Sequence, residues 1–209
     1  MQAFLNGLPY NHEGKPTGAT LRSFRGVVRH HTAHCLEAAL AAAVILEQHG
    51  FPPLVLSFES ADKLDHVLFA YRHRGRWGSV ARSRDPGLHG RTPVFPSARA
   101  LARSYFDPYI DFSGCLTAFA VVNLHEELGR YNWRLSEGNI WKVEQMLIDY
   151  PHLPLSFSRV RAARLRARYR AFKAAYPDHK PLQYRGREHW TALPREFTRR
   201  GYERPFPVP

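Results

Sequence analysis

The sequence predicts an α+β fold, and three features of the chain point to that class. Ala and Leu dominate the stretch from 33 to 48, which gives it a strong helix propensity. Short apolar and aromatic runs at 54–58, 66–71 and 77–81 are typical of β-strands. Hydrophobic residues make up 44% of the 209-residue chain, which is enough for a packed core.

Local signals set the ends of the first elements. Thr32 is predicted to cap the Ala-rich helix, which ends at Gly50 ahead of two prolines. Residues 20–30 form a weaker predicted helix, because Gly26 lowers its propensity. Arg74-Gly75 can make the two-residue turn of a β-hairpin that joins the second and third strands.

The second half of the chain alternates predicted helices with one strand. Ser97 is predicted to cap a short helix, and residues 115–124 to form the strand. Ser136 is predicted to cap a helix, and Ser156 or Ser158 to open the last one. We therefore expect one core domain over 1–130 and a helical, Arg-rich extension over 131–209 that packs on it.

Charge and cysteine content narrow the partners and the compartment. The chain has 30 Lys and Arg against 18 Asp and Glu, and this net charge of +12 favours nucleic acid or another acidic partner. Cys35 and Cys115 are too few for a disulfide framework. With no secretory signal and no apolar stretch of membrane length, the expectation is a cytoplasmic protein without a membrane span.

Cys35 and His66 are the predicted functional centre. Cys35 lies at the head of the Ala-rich helix, where free backbone N–H groups and the helix dipole favour a thiolate. His66 opens the second strand and can serve as the base that activates the thiol. Residue types and positions together therefore predict a thiol nucleophile with its base.

A third group must orient the imidazole, and the hairpin suggests two candidates. A turn at Arg74-Gly75 pairs Tyr71 with Gly78, and a continued ladder pairs His66 with Ser83. Asp85 then lies on the same face as His66, as its diagonal neighbour. Asp85 is the first candidate for the orienting group and Ser83 the second.

The same residues carry a family resemblance. The chain from Cys35 through the Ala-rich helix to Gly50-Phe51-Pro52, and then the His66 hairpin with Trp77, resembles the transglutaminase-like (papain-like) cysteine superfamily. The resemblance implies a Cys-bearing helix packed on an antiparallel sheet, with that core in 1–130. One departure stands out, because Ala81 follows Trp77 closely where the family has its Asp.

The resemblance also implies the chemistry. Cys35 would carry the acyl group as a thioester while His66 acts as base and acid, with Asp85 in place of the family's carboxylate. The substrate would be a peptide or protein amide, hydrolysed or transferred to an amine, and no cofactor is implied. The candidates for cleft-lining or oxyanion-binding side chains are His31, His34, Ser83 and Trp77.

Two alternatives use other features of the chain. His30, His31, His34 and Cys35 are close enough in sequence to suggest a zinc site, although we predict no metal because a second ligand pair is missing. The last helix carries Arg161, Arg164 and Arg168, which are candidates for binding nucleic acid phosphates. An apolar seam that includes Phe172 favours instead a helix docked on the domain, with solvated arginines.

Overall fold

A computed structural model of the chain describes residues 1–14, 18–182 and 184–198. Among them are six strands: β1 (Leu54–Ser60), β2 (His66–His73), β3 (Arg76–Val80), β4 (Arg91–Phe95), β5 (Leu116–Asn123) and β6 (Leu153–Pro154). They form a sheet in the order β4-β3-β2-β1-β5-β6, and every pairing is antiparallel. The architecture is mixed α/β and compatible with the predicted α+β class.

Helices cover both faces of this sheet. They are α1 (Gln2–Gly7), α2 (Phe24–His30), α3 (Cys35–Glu47), α4 (Ala98–Arg103), α5 (Phe106–Tyr109), α6 (Leu124–Leu128), α7 (Trp141–Asp149) and α8 (Arg159–Ala175). Short 3₁₀ turns lie at Pro86–Leu88, Arg187–His189 and Arg195–Phe197. In the described part of the chain, no helix is both long enough and apolar enough to span a bilayer.

Side chains alternate along the strands and so build a core on each face of the sheet. Val55 of β1 packs with the buried residues of α3, whereas its neighbour Leu56 faces the opposite way. On that opposite side, Leu101 of α4 and Leu165 of α8 complete the second core. Each fully buried aliphatic or Phe side chain stabilises the fold by about 2 kcal/mol.

The central helix α3 lies inside the protein rather than on its surface. Every residue from Leu36 to Val44 is buried, and the many alanines keep the helix slim enough to lie directly against the sheet. Gly50 has a φ of +80°, so it supplies the left-handed conformation that ends the helical segment. The predicted helix over 33–48 is confirmed as α3, which begins two residues later and ends one residue earlier than predicted.

The N-cap residues of α3, α4 and α8 can be compared with the predicted ones. His34, not Thr32, caps α3, because Ala33 is held extended in a bridge to Tyr10. The Thr32 hydroxyl instead accepts a hydrogen bond from Arg22 at 2.7 Å. Ser97 and Ser158 cap α4 and α8 as predicted.

Ser136 does not cap α7, which begins later, at Trp141, and has Ile140 as its N-cap residue. The Ser136 carbonyl instead accepts a hydrogen bond from Ser23 Oγ at 2.7 Å. The Ser136 hydroxyl donates to the Gly138 carbonyl at 3.1 Å, and the Ile140 N–H donates to the distant Leu21 carbonyl at 2.8 Å, a contact that has no local signal in the sequence.

The β2–β3 hairpin confirms the predicted turn but corrects the predicted ladder. Arg74 and Gly75 both have positive φ, as a tight hairpin turn requires, and Tyr71 pairs with Gly78. The ladder stops at Phe69–Val80, because the Ala81 N–H donates to Gln2 of α1 instead. His66 lies beyond the end of this ladder and so does not pair with Ser83. On the other edge of β2, it pairs with Phe58 of β1.

The region predicted to be an extension contributes to the structure around it. Strand β6 pairs with the edge of β5. Val143 and Leu147 of α7 belong to the core around α3, and Leu165 of α8 belongs to the core on the other face. Residues after 130 therefore supply one strand to the sheet and apolar side chains to both cores.

Candidate active site

Cys35 is the first residue of α3, at the rim of a cleft with a volume of about 860 Å³. Its side chain is partly exposed, and it is a free cysteine. The first backbone N–H groups of a helix have no partner within it, and they carry the positive end of the helix dipole. The start of α3 thus places an accessible thiol in a site that favours negative charge.

His66 begins β2 and faces the same cleft, although only 3% of its surface is exposed. Its Nε2 lies 3.1 Å from the Leu88 carbonyl oxygen, and its ring stacks on Phe58 with centroids 6.4 Å apart. A carbonyl oxygen can only accept, so Nε2 carries the proton of the neutral ring. The other nitrogen, Nδ1, then carries the lone pair that can accept a proton.

The Cys35 thiol shares the cleft with two imidazoles, those of His34 and His66, which favour the thiolate through hydrogen bonding and charge. Burial alone would raise the pKa of this thiol. The two imidazoles outweigh burial and hold the pKa of Cys35 well below its usual range. A lowered thiol pKa makes the nucleophilic thiolate available at neutral pH.

His34 serves as both a helix cap and a neighbour of the thiol. In the neutral ring, Nδ1 accepts the Leu36 N–H at 3.2 Å, and Nε2 lies 3.0 Å from the Thr20 carbonyl oxygen. Burial lowers the pKa of His34, but the Cys35 thiolate and the Glu37 carboxylate raise it to about 9. A proton on Nδ1 is incompatible with accepting from Leu36, so protonation exchanges this cap for an interaction with the thiolate.

Glu37 is a fully buried carboxylate that holds this arrangement together. It accepts the His34 backbone N–H at 3.1 Å and the Thr20 hydroxyl at 2.9 Å, and it is bonded to Asn11 and to the Arg22 backbone N–H. These bonds tie the N-terminal segment to the first turn of α3. The donors also offset part of the cost of burying the carboxylate.

Two tyrosines complete the surroundings of the thiol, and neither was among the predicted site residues. Tyr10 lies close to the Cys35 backbone N–H, and burial raises the pKa of Tyr10. Burial also raises the pKa of Tyr109, whose hydroxyl donates to the Leu64 carbonyl. Tyr10 reaches the site through the bridge to Ala33, a long-range pairing that leaves no local signal in the sequence.

Asp85 and Ser83 line the cleft as expected, but other groups occupy their polar atoms. The Asp85 carboxylate pairs with Lys180 and lies 3.6 Å from the Arg84 Nε. Ser83 Oγ accepts the Asp85 backbone N–H at 3.1 Å. The His66 Nε2–H donates to the Leu88 carbonyl. Among the described residues, a backbone oxygen therefore accepts the ring hydrogen bond that was predicted for Asp85 or Ser83.

The other predicted site residues divide between the cleft and the surface. His34 lines the cleft, whereas His31 is an exposed C-cap of α2 and Trp77 packs near Arg72 and the second core. Within the described ranges, no three His, Cys, Asp or Glu side chains are grouped to hold a metal ion. The predicted zinc alternative therefore lacks a ligand set in this part of the chain.

The predicted nucleic-acid residues lie on α8. Arg161 pairs with Asp107 at 2.6 Å, Arg164 is exposed, and Arg168 is half-buried and has an interaction partner. Arg166 donates to the Ser113 carbonyl at 2.9 Å. The helix docks on the protein through buried Leu165 and Phe172. Arg161 and Arg166, which bond to Asp107 and Ser113, are therefore engaged in contacts within the protein.

The cleft is acidic in an otherwise basic protein. Of the described residues that line it, seven are Asp or Glu and three are Lys or Arg. Asp62 and Asp65 line the cleft just before His66 in the chain. The Ser60 hydroxyl donates to Asp62, and the Ser60 backbone N–H donates to Asp65. Burial raises the pKa of Asp65, and the field of Glu59 adds to this effect.

In comparisons with known proteins, no family profile and no curated sequence matches this chain. The residues of the cleft and their chemistry are therefore the basis for assigning a function. It combines a thiol of low pKa, an oriented imidazole, a helix N-terminus and room for a substrate. These are the parts that nucleophilic catalysis on an acyl group requires.

Proposed function

We propose that this protein is a cysteine acyl-transfer enzyme with a transglutaminase-like core, in which Cys35 is the nucleophile and His66 its general base and acid. The observation that carries the proposal is that the Cys35 thiol, at the N-terminus of α3, lies in the same cleft as the His66 imidazole, which helps to lower the pKa of the thiol. The chain order supports it, since a Cys-headed helix precedes a strand and then a hairpin that opens with His.

The reaction follows from these positions. The Cys35 thiolate attacks the carbonyl carbon of an amide, and the C=O electron pair moves to oxygen to give a tetrahedral oxyanion. The oxyanion collapses, the C–N bond breaks, and the leaving amine takes a proton from the His66 imidazolium. A thioester on Cys35 remains, and His66 is now neutral.

The second half of the reaction reverses these roles. Water or an amine attacks the thioester while neutral His66 accepts its proton. The C–S bond breaks, which releases a carboxylic acid or a new amide and regenerates the Cys35 thiolate. Both outcomes remain within the proposal, because the incoming nucleophile distinguishes a hydrolase from a transferase.

Two groups near Cys35 suit the oxyanion. As the first N–H of α3, the Cys35 backbone N–H has no acceptor within the helix, so it can donate to a substrate oxygen in the cleft. Tyr10 stays protonated at neutral pH, because burial raises its pKa. Its hydroxyl can therefore donate a second hydrogen bond to the developing negative charge.

Acyl-enzyme trapping tests the proposal. Purified protein is mixed with p-nitrophenyl acetate, quenched in acid, and analysed by intact-mass spectrometry and peptide mapping. We expect a hydroxylamine-sensitive acetyl group on Cys35, formed and hydrolysed more slowly in His66→Ala, with Cys115→Ala as the matched control that acylates normally. Equal acylation of His66→Ala and wild type, or acetyl groups on Cys115, would refute a Cys35–His66 pair.

Nucleic-acid binding is the second candidate, and the exposed arginines of α8 favour it. Arg159, Arg164 and Arg170 are exposed on one 17-residue helix. Phosphate binding through such residues weakens steeply as salt concentration rises. We expect retention on a polyanion column to fall in Arg164→Ala/Arg170→Ala if α8 binds phosphates, whereas unchanged retention would exclude this role.

A further inference from the structure

Arg91, at the start of β4, is a fully buried arginine. Within the described residues its guanidinium donates to backbone carbonyls: Nη1 to His89 at 2.7 Å and to Gly90 at 3.3 Å, and Nη2 to Gly87 at 2.7 Å. Its carbon Cζ lies 4.1 Å from the Tyr105 ring centroid. Burial lowers its pKa to about 10, which leaves Arg91 a cation at neutral pH.

The carbonyls that Arg91 holds flank the carbonyl that orients His66. Gly87 and His89 turn their oxygens towards Arg91, while the oxygen of Leu88, between them, accepts from His66 Nε2 at 3.1 Å. Gly87 and Leu88 belong to the 3₁₀ turn and His89 ends it, so bonds that fix the carbonyls on either side of Leu88 also restrict the rotation of the Leu88 carbonyl between them. We infer that Arg91 is a positioning residue for the proposed Cys35–His66 pair, acting through the Leu88 carbonyl.

The geometry of the guanidinium explains why the residue is arginine. A planar fork with several donors can hold two carbonyls at once, whereas an ammonium is a point charge on a flexible stem. Packing alone would favour an apolar side chain here, because a buried cation without a carboxylate partner is costly. The presence of a buried arginine despite this free-energy cost fits a role in fixing the conformation of residues 87–90.

Other contacts brace the same segment against movement. The Tyr105 hydroxyl donates to the His89 carbonyl at 3.0 Å and is bonded to Ser79 Oγ at 2.7 Å. A Cβ atom added at Gly87 would approach Pro108 Cβ to 2.5 Å, so the segment lies directly against the 106–109 helix. Arg91 and Tyr105 thus hold the His89 carbonyl from two sides.

This inference rests on the proposed function, and its test measures the thiol rather than turnover. The pH dependence of iodoacetamide alkylation of Cys35 is compared in wild type, Arg91→Lys and His66→Ala, with Cys115→Ala as the background. Arg91→Lys keeps the positive charge but cannot hold both carbonyls. We expect its alkylation at mildly acidic pH to fall roughly tenfold, towards the His66→Ala profile, because a misplaced imidazole stabilises the thiolate poorly.

Arg82→Lys is the matched control. Arg82 is also buried, but it donates to the Leu8 and Ser83 carbonyls and pairs with Glu196, and it holds none of the three carbonyls that Arg91 holds. We expect it to lower the melting temperature without moving the alkylation profile. His34, Tyr10 and Tyr109, the other titratable groups around the thiol, are unchanged in both lysine variants.

Tyr105→Phe keeps the test decisive if Arg91→Lys does not fold. It removes one brace of the His89 carbonyl while it retains the ring beside Arg91, so we expect a smaller shift in the same direction. The inference is overturned if the folded variants overlay wild type, or if Arg82→Lys shifts the profile equally. A His66→Ala profile identical to wild type would instead refute the Cys35–His66 pair itself.

Discussion

Glu37 and His34 hold each other across the first turn of α3. The Glu37 carboxylate accepts the His34 backbone N–H at 3.1 Å, and its other oxygen lies 3.7 Å from His34 Nε2. In return, His34 caps the helix through Leu36. The reciprocal bonds form a capping box, and the capping residue directly precedes the proposed nucleophile in the chain.

We predict that the two roles of His34 can be separated by substitution. Asn is among the best N-caps and lacks an imidazole, so His34→Asn should keep the melting temperature but raise the Cys35 pKa. His34→Ala should raise that pKa equally and also destabilise the protein by about 1 kcal/mol. Urea unfolding and the pH profile of alkylation measure the two effects. A wild-type profile in His34→Asn would show that His34 is only a cap.

The elements that could be predicted from the sequence are those set by interactions between residues close to one another in the chain. The Ala-rich helix, the positive-φ turn at Arg74-Gly75 and the caps at Ser97 and Ser158 follow from local conformational preferences. The positions of Cys35 and His66 follow too, because each opens a regular element. A helix start and a strand start both bring side chains to the edge of a sheet, where clefts form.

The remaining parts of the site depend on contacts between distant residues. Leu88 orients His66 with a backbone carbonyl, and a backbone group has no signature in the sequence. Asp85 was predicted from a ladder continued past Val80, but Gln2 takes the next N–H and ends it. A ladder's length is set by the partners available in three dimensions, so counting from the turn succeeded only within the hairpin.

Selective alkylation of Cys35 is the next prediction. Imidazole contacts hold the Cys35 pKa well below its usual range, so a thiolate persists as pH falls below the ordinary thiol pKa. At mildly acidic pH, iodoacetamide should label Cys35 well before Cys115, as peptide mapping would show. The selectivity should shrink as pH rises, because both thiols then ionise. Equal labelling of the two cysteines at acidic pH would contradict this prediction.

The acidic cleft predicts a preference among charged reagents. Seven Asp or Glu against three Lys or Arg line the described cleft, so its field should concentrate cations near Cys35. A cationic methanethiosulfonate should modify Cys35 roughly tenfold faster than an anionic one at low ionic strength, and salt should reduce the ratio. Asp62→Asn should also reduce it. A faster anionic reagent would mean that the imidazolium side chains dominate the local field.

Phe172 and Arg166 test whether α8 is primarily a docked helix. Phe172 is fully buried, so Phe172→Ala should cost about 3–5 kcal/mol of stability through lost packing. Arg166→Ala removes a surface hydrogen bond to the Ser113 carbonyl and should cost less than about 1 kcal/mol. Thermal melts of both variants decide the order. If Arg166→Ala were the more damaging substitution, the apolar seam would not be what anchors the helix.

The last prediction concerns the partner of the His66 ring. His66→Ala should raise the Cys35 pKa, because an imidazolium no longer stabilises the thiolate. Asp85→Ala should not reproduce this rise, since its carboxylate pairs with Lys180 while Leu88 holds the ring. The measurement is the pH profile of Cys35 alkylation in each variant.

Lys180→Ala provides the matched control, because it breaks the same ion pair from the other side. If Asp85 acts only through its field, its removal should lower the Cys35 pKa slightly, and removal of Lys180 should raise it slightly. If Asp85 orients the ring, its removal should instead raise the pKa as His66→Ala does. A rise of that size in Asp85→Ala would return Asp85 to the role first predicted for it, and the Leu88 carbonyl would then be a neighbour of the ring rather than its orienting group.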